Sequence, residues 1–501
     1  MTKLSAQADL LEDRWFELQT ANFTIYSQAS SRQTSRFATQ LESWRKLAAV
    51  VISDEESFAK ANVPNYVFLF DDEESFNYFQ RTQETAFYFQ TPRANYMALT
   101  QGDDDSFLEA KHYYAHFLIR NFSDLRLPRW YEEGLTGYLS RIEIRRGEPE
   151  FSEFTREENI RMAELGTELS MQRLLYRDDA LASPRVVQIA NLKSVALLHY
   201  VKHAHEQGFP DHRAELETYL SHILDGRTER FAFDLGFSMT TDELDDELLD
   251  YLMGSSPDTG DVVVNFSIEL PDYDVTEIAE YQVATMLGEL GLNSGLPENS
   301  ELYFRHLIDS GQATARSYSG LGDALRFQAQ QNEIAADDRT IAEYFTRAAS
   351  MAPNDSNILL DYGEYWEAEL NNCDKVYPAN QRQLIIADIE THFEKAIALA
   401  PNNAEANLAM GQLHLFESKD WQTGLSYQQR AFSLLPSDSF IMEQSIKYSI
   451  AGGDYVEAER LINEMAQPIH FFGEPGYVAA LRDRLESAQR NETYDECAED
   501  S

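Results

Sequence analysis

The strongest constraint on the fold is a recurrence in the second half of the chain. Gly288, Gly322, Gly363 and Gly411 stand in matching helical contexts, each preceded by a large apolar residue: Leu287, Leu321, Tyr362 and Met410. The spacings are 34, 41 and 48 residues, and the next matching helix, at Ile446, follows after 35. A second marker runs in step. Ala352-Pro353-Asn354-Asp355, Ala400-Pro401-Asn402-Asn403 and Leu435-Pro436-Ser437-Asp438 each close a helix, because proline cannot continue one. Helix pairs of this kind cannot bury their apolar faces alone, so they must stack on their neighbours. The longer spacings require insertions, one of them around Asn371 to Gln383.

A base period of about 34 residues, with glycine in the first helix and proline after the second, resembles the tetratricopeptide repeat. The segment Phe393-Glu394-Lys395-Ala396-Ile397-Ala398-Leu399-Ala400-Pro401-Asn402 is especially similar to that family. The resemblance covers about residues 275–480, with degenerate first and last units. It implies an all-α solenoid with a concave, peptide-sized surface. Such a surface either holds a peptide or protein partner or braces the first half of the chain.

The first half reads differently. Phe23-Thr24-Ile25-Tyr26 and Asn65-Tyr66-Val67-Phe68-Leu69-Phe70 have strand character, and Tyr96-Met97-Ala98-Leu99 is a third, weaker candidate. Between the first two, Ser31 to Ile52 carries a helical stripe of Phe37, Leu41, Trp44, Leu47 and Val51. This mixture predicts an α/β subdomain over residues 1–105, followed by a helical subdomain over 106–253. Gly254-Ser255-Ser256-Pro257-Asp258-Thr259-Gly260 opens a linker over 254–274, repeats fill 275–484, and residues 485–501 form an acidic tail, disordered from Asn491 to Ser501.

Charge narrows the function. The 85 acidic residues against 41 basic ones give a formal charge of −44, which repels phosphate backbones and anionic lipid. Nucleic-acid partners are therefore excluded, and no apolar run is long enough to span a membrane. Cys373 and Cys497 are far apart and suggest neither a disulfide framework nor a zinc ribbon. The first 20 residues lack the layout of a signal peptide, so the compartment stays open.

The chemistry concentrates in Glu109-Ala110-Lys111-His112-Tyr113-Tyr114-Ala115-His116 and Leu127-Pro128-Arg129-Trp130-Tyr131-Glu132-Glu133-Gly134-Leu135-Thr136-Gly137-Tyr138. His112 and His116 project from one helix face, a turn apart, close enough to share an ion. A second helix, begun near Pro128, can carry Glu133 over them. Two histidines and one glutamate with an open fourth position form a catalytic zinc set.

These two segments resemble the gluzincin metallopeptidases, in particular the bacterial peptidase MA-like domains often joined to tetratricopeptide repeats. Those read His-Glu-x-x-His, then Trp-x-x-Glu-Gly-x-x-x-Tyr. The resemblance runs from about Trp15 to Leu252 and implies an α+β gluzincin-like N-terminal half. It also implies His112, His116 and Glu133 as ligands of Zn2+, with Trp130, Gly134 and Tyr138 as their frame. The family's catalytic glutamate falls on Tyr113, and a phenol with a pKa near 10 is a poor base at neutral pH. Loss of a general base typically costs about 10²–10⁴ in rate. Gly137 also replaces an acid often found there.

Two carboxylates are candidate substitutes. Glu109 shares the histidine face, but Ser106-Phe107-Leu108-Glu109 also reads as a capping box. Glu132 points roughly 100° away from Glu133 around their helix, so both cannot face one ion. Tyr113 itself is a further candidate, as a ligand or as a hydrogen-bond donor to an oxyanion. His199, His203 and His205 read as a solvated helix end. No Walker loop, dinucleotide fingerprint or nucleophile elbow is present. The chain therefore reads as a peptidase homologue without its base that binds peptide or protein partners. An active zinc peptidase with an atypical base and a metal-free scaffold are the alternatives.

Overall fold

The computed structural model describes residues 9–52, 63–80, 84–122, 127–145, 148–151, 154–176, 184–254, 273–332, 337–416, 420–466, 476–492 and 494. Most of the expected linker (255–272) and residues 493 and 495–501 of the expected tail lie outside the described residues, while Leu485 to Gln489 belong to the last helix.

The first half opens with β1 (Phe16–Gln19), β2 (Thr24–Ser27), α1 (Ser31–Ile52), β3 (Asn65–Phe70), α2 (Glu73–Asn77), β4 (Ala86–Gln90) and β5 (Asn95–Thr100). It continues through α3 (Asp104–Phe122), α4 (Arg129–Ser140), β6 (Ile142–Arg145), β7 (Glu148–Phe151), α5 (Arg156–Gly166), α6 (Met171–Tyr176) and α7 (Pro184–His203). Three further helices, α8 (Arg213–Leu224), α9 (Glu229–Gly236) and α10 (Thr241–Gly254), close it, and β8 (Val275–Glu277) follows. The three strands expected from sequence are β2, β3 and β5. The edge strands β4 and β8, the inner strand β1 and the β6–β7 hairpin add to them, so the 106–253 region is not wholly helical.

The main sheet has the order β4-β5-β3-β2-β1-β8. Its centre is parallel, β2 beside β3 and β3 beside β5, and the outer pairs are antiparallel. Parallel central strands are covered on both faces, which is why Asn65–Phe70 reads as a nearly unbroken apolar run. Strand alternation divides the core in two. Ile25, Val67, Leu69, Met97 and Leu99 pack with Leu41, Trp44 and Leu47 of α1 and with Tyr114 and Leu118 of α3. Phe68, Phe70, Tyr96 and Ala98 pack on the other side, against the start of the repeats.

Those repeats are five helix hairpins and a final helix: α11/α12 (Glu280–Asn293, Pro297–Asp309), α13/α14 (Ala315–Gln331, Asp338–Met351), α15/α16 (Ser356–Asn371, Ala379–Leu399), α17/α18 (Ala404–Phe416, Trp421–Leu434), α19/α20 (Ser439–Gly452, Tyr455–Met465) and α21 (Gly476–Gln489). Each recurring glycine lies in the first helix of a hairpin. A Cβ on Gly288 would stand 2.7 Å from the Phe304 ring, and one on Gly322 would stand 2.7 Å from the Phe345 ring. On Gly363 it would collide with Phe393. The glycine-to-aromatic contact is thus what brings the two helices of a pair together. After each Pro-containing turn the next helix is capped at once: Asp355 accepts from the Asn357 and Ile358 amides, and Asp438 from those of Phe440 and Ile441. The insertion near Asn371–Gln383 is the connection before α16, a helix of 21 residues.

The two halves share a core. Leu287, Tyr303 and Phe304 lie in one cluster with Trp15, Phe68 and Phe70, and β8 pairs with β1. The first helices of successive hairpins also enclose the β4–β5 turn. From that turn Arg93 reaches Asp361 at 2.7 Å on α15, Glu405 at 2.5 Å on α17 and Glu364 at 3.7 Å. Asn121, Gln90 and Ser437 join the same seam through hydrogen bonds of 2.6 and 3.0 Å. In this structure the inner face of the array braces the first half. Cys373 is disulfide-bonded, a bond that the reading of no disulfide framework did not expect.

Candidate metal centre

The frame residues dock α4 before any ligand is considered. Trp130 is buried and donates from Nε1 to the Tyr219 hydroxyl at 3.1 Å. Gly134 faces α7 so closely that a Cβ would stand 2.7 Å from the Ser194 carbonyl oxygen, and one on Gly137 would collide with Val195. Tyr138 stacks on His203, with its hydroxyl 3.1 Å from Nε2. Small residues at two successive contacts let α4 lie against α7, and α3 packs across its other side. Gly137 is therefore required by packing, whatever acid the resemblance would put there.

This docking brings the three expected ligands together. His112, His116 and Glu133 each offer one ligand atom, all within 4.8 Å of one another. Glu133 Oε2 lies 3.6 Å from His112 Nε2 and 3.7 Å from His116 Nε2. A tetrahedral ion with bonds of about 2.0–2.2 Å separates its ligand atoms by about 3.3–3.6 Å, so the two distances to Glu133 suit zinc within a few tenths of an ångström, while the histidine pair lies within the 4.8 Å that bounds the set. Glu133 is fully buried and His116 nearly so.

The surroundings act on the two histidines in opposite directions. Burial and the neighbouring His116 push the His112 pKa down to about 4, which keeps its ring neutral at physiological pH. His116 is held from behind: its Nδ1 lies 2.9 Å from Glu132 Oε1, and Arg120 donates to the same oxygen at 2.8 Å. Burial raises the Glu132 pKa, but Arg120 and His116 outweigh it and hold the carboxyl down at about 2. Burial lowers the His116 pKa, but Glu132 and Glu133 outweigh it and raise it; an ion on the Glu133 side would displace the proton there, and Glu132 accepting from Nδ1–H would then leave Nε2 as the lone-pair nitrogen. The Thr136 hydroxyl lies 3.3 Å from that nitrogen. Sequence reasoning weighed Glu132 only as a base. Its orienting role was signalled by Arg120, four residues after His116 on the same helix face.

The substitute bases fare poorly. Glu109 is not part of a capping box, because α3 starts at Asp104 and the Asp103 carboxylate accepts from the Asp105 amide. Instead Glu109 Oε2 accepts from the Thr85 amide at 2.9 Å, the Thr85 hydroxyl at 2.6 Å and the Ala86 amide at 3.0 Å. It pins the start of β4. Tyr113 points its hydroxyl at two carboxylates, 3.4 Å from both Glu84 and Glu109. Burial first, then those two charges, drive its pKa far above the ordinary phenol value, so the phenolate is not a base at neutral pH.

His199 and His203 are not a solvated helix end. His199 is buried against Phe151 and Phe154, with Nδ1 2.9 Å from the Tyr251 hydroxyl, and burial pushes its pKa down to about 3. The unexpected β6–β7 hairpin supplies Phe151 and so covers this ring, which sequence periodicity on α7 alone could not show.

No family model matches the chain, and no curated protein matches it. Among solved structures, TTC0263, a thermophilic TPR protein in Thermus thermophilus, aligns at 13% identity over 42% of this chain and 99% of its own, with a TM-score of 0.33. PilF of Pseudomonas aeruginosa aligns at 15% identity over 42% of this chain and 89% of its own, with a TM-score of 0.31. The tetratricopeptide-type reading of the second half rests on the helix hairpins themselves and their glycine-to-aromatic contacts. Among the described residues, no helix is long and apolar enough to cross a membrane.

Proposed function

We propose that the first half is a gluzincin-like domain that holds zinc on His112, His116 and Glu133 and captures a peptide or protein segment without efficient hydrolysis. The observation that carries this reading is the convergence of the three ligand atoms within 4.8 Å, with His116 oriented from behind by Glu132. Zinc bound there supplies a Lewis acid that polarises a carbonyl. Neither Tyr113 nor Glu109 is placed to take a proton there. Tyr113 occupies the base position with its hydroxyl turned to Glu84 and Glu109, and Glu109 is tied to Thr85. The repeats add a protein-interaction scaffold. Their inner face is engaged by Arg93, so a partner docks on surfaces outside that contact.

Elemental mass spectrometry of chelator-free protein tests the reading. One zinc per chain, lost in His116→Ala, is the expected result, together with no cleavage of unstructured peptides. Tyr113→Glu should then gain measurable cleavage, because it returns a carboxylate to the base position. Protein that stays metal-free after soaking in zinc would remove the proposal.

A further inference from the structure

A second site lies between the sheet and the repeats, on the face opposite α3 and the histidine pair. It is an open cleft of about 800 Å³. Its floor is a row of tyrosines from three adjacent strands: Tyr26 on β2, Tyr66 on β3 and Tyr96 on β5. The rings lie side by side, with centroids 6.3 Å apart from Tyr26 to Tyr66 and 5.6 Å from Tyr66 to Tyr96. Tyr281 of α11, 42% exposed, stands at the mouth. The β1–β2 register sets Glu17 directly beside Tyr26, and Glu289 of α11 lines the opposite wall.

The charges around this floor do not cancel. Two arginines border the cleft, and both are already engaged. Arg93 meets Asp361, Glu405 and Glu364, while Arg316 is paired with Glu289 and lies 2.7 Å from Asp361. With Asp323, 3.6 Å from Arg316, five carboxylates thus surround two guanidiniums, and Glu17 adds a sixth acid with no cation against it among the described residues. The helix ends that open onto the cleft offer little to an anion. Asp355 closes the start of α15 with its own carboxylate, and Asn403 accepts from the Ala406 amide at the start of α17. The tyrosines feel the negative field: after burial, Glu17 and Glu289 are the carboxylates that raise the Tyr26 pKa.

Aromatic faces attract cations through their ring quadrupole, and a nearby carboxylate reinforces the attraction. We propose that this cleft binds an organic cation, an alkylammonium or guanidinium group that lies on the tyrosine floor and pairs with Glu17. The group comes either from a free small amine or from a lysine or arginine side chain of a peptide. The volume admits both, and neither depends on the histidine pair.

Isothermal titration of the full chain decides the matter with four probes: choline, its uncharged isostere 3,3-dimethyl-1-butanol, arginine amide and the tripeptide Ala-Arg-Ala. A cation should bind at least about tenfold more tightly than the isostere. Glu17→Gln and Tyr66→Leu should each weaken it by about threefold to tenfold, while His116→Ala leaves it unchanged. Glu17→Gln replaces a partly exposed side chain by one of equal size, so it reports on charge even if Tyr66→Leu disturbs the sheet. Tighter binding of Ala-Arg-Ala than of arginine amide or choline names a peptide as the source, and the reverse names a small amine. Equal binding of choline and its isostere, indifference to Glu17→Gln, or no binding of any cation at millimolar concentration would overturn the proposal.

Discussion

The histidine site and the Arg93 cluster are both buried groups of charges, and they are assembled in opposite ways. The histidine site takes all its parts from residues 112 to 136, on two helices joined by a short connection. The Arg93 cluster draws on a strand turn, α11, α13, α15 and α17, with Arg93 and Glu405 separated by 312 positions. The first can be read as a motif because helix geometry fixes which side chains share a face. The second has no local signature: its acids look like ordinary charges on amphipathic helices until the array curls over the β4–β5 turn. A spacing rule sees chemistry only where one or two rigid elements hold all of it.

The largest effect should come from removing the centre of the long-range cluster. Arg93→Ala leaves Glu405 without its arginine and Asp361 with Arg316 alone, and breaking such a buried pair typically costs about 3–5 kcal/mol. Chemical denaturation should show that loss, with the zinc content of the folded protein unchanged. A loss below about 1 kcal/mol, the range of solvent-exposed pairs, would mean that solvent reaches the seam and that the bracing role is wrong.

The local cluster should break differently, in metal affinity more than in stability. Glu132→Ala frees His116 Nδ1 and should lower zinc affinity by about 10–100-fold, with Glu132→Gln recovering part of it. A competition titration against a chromophoric chelator reads this directly. Gly134→Ala attacks the same site through packing, since its Cβ meets the fixed Ser194 carbonyl. Overpacking of this kind costs about 1–3 kcal/mol, and the displaced α4 should carry Glu133 away from the histidines.

A smaller effect belongs to the seam between the halves. Burial raises the Asp438 carboxyl to about 6, above its ordinary value of 3.8, although the Ile441 and Phe440 amides oppose the shift. Between those two values the folded chain holds a proton that the unfolded chain has released, so this group adds stability as pH falls from 7 toward 5. Asp438→Asn keeps the cap but not the charge. Its melting temperature should exceed that of the parent by roughly 2 °C at pH 7.5, with the gap about halved by pH 5 and closing only below the unfolded value of 3.8. An equal gap at both values would assign the effect to something other than this carboxyl.

The smallest change should stabilise. Gly411 breaks the glycine-to-aromatic pattern: its Cβ would meet only Gln428, at 3.4 Å or more. Gly411→Ala should therefore gain up to about 1 kcal/mol from helix propensity, whereas Gly363→Ala should lose stability against Phe393. Equal signs for the two would show that the ring contact does not set the hairpin geometry.

Much of the fold was legible. The Ser31–Ile52 and Asn65–Phe70 elements match their sequence patterns end to end, and every recurring glycine falls on the first helix of a hairpin. The missed strands β1, β4 and β8 are short edge or near-edge segments of three to five residues, too brief for a periodicity to register. The capping-box reading of Ser106 failed for a related reason. Glu109 had a better set of donors in Thr85 and Ala86, brought to it only by the sheet. His199 looked solvated because its cover, Phe151, comes from a hairpin distant in sequence.

The sequence by itself determined the helix repeat, the alternation of the central strands and the spacing that lets His112, His116 and Glu133 share a point. Those follow from backbone periodicity, which is local. Only the tertiary structure decided that Glu132 orients His116, that Tyr113 and Glu109 are occupied elsewhere and that the inner face of the repeats closes on Arg93. Each depends on which distant group arrives first at a buried donor or acceptor, and burial makes that arrival decisive because an unpaired polar group in the core is costly.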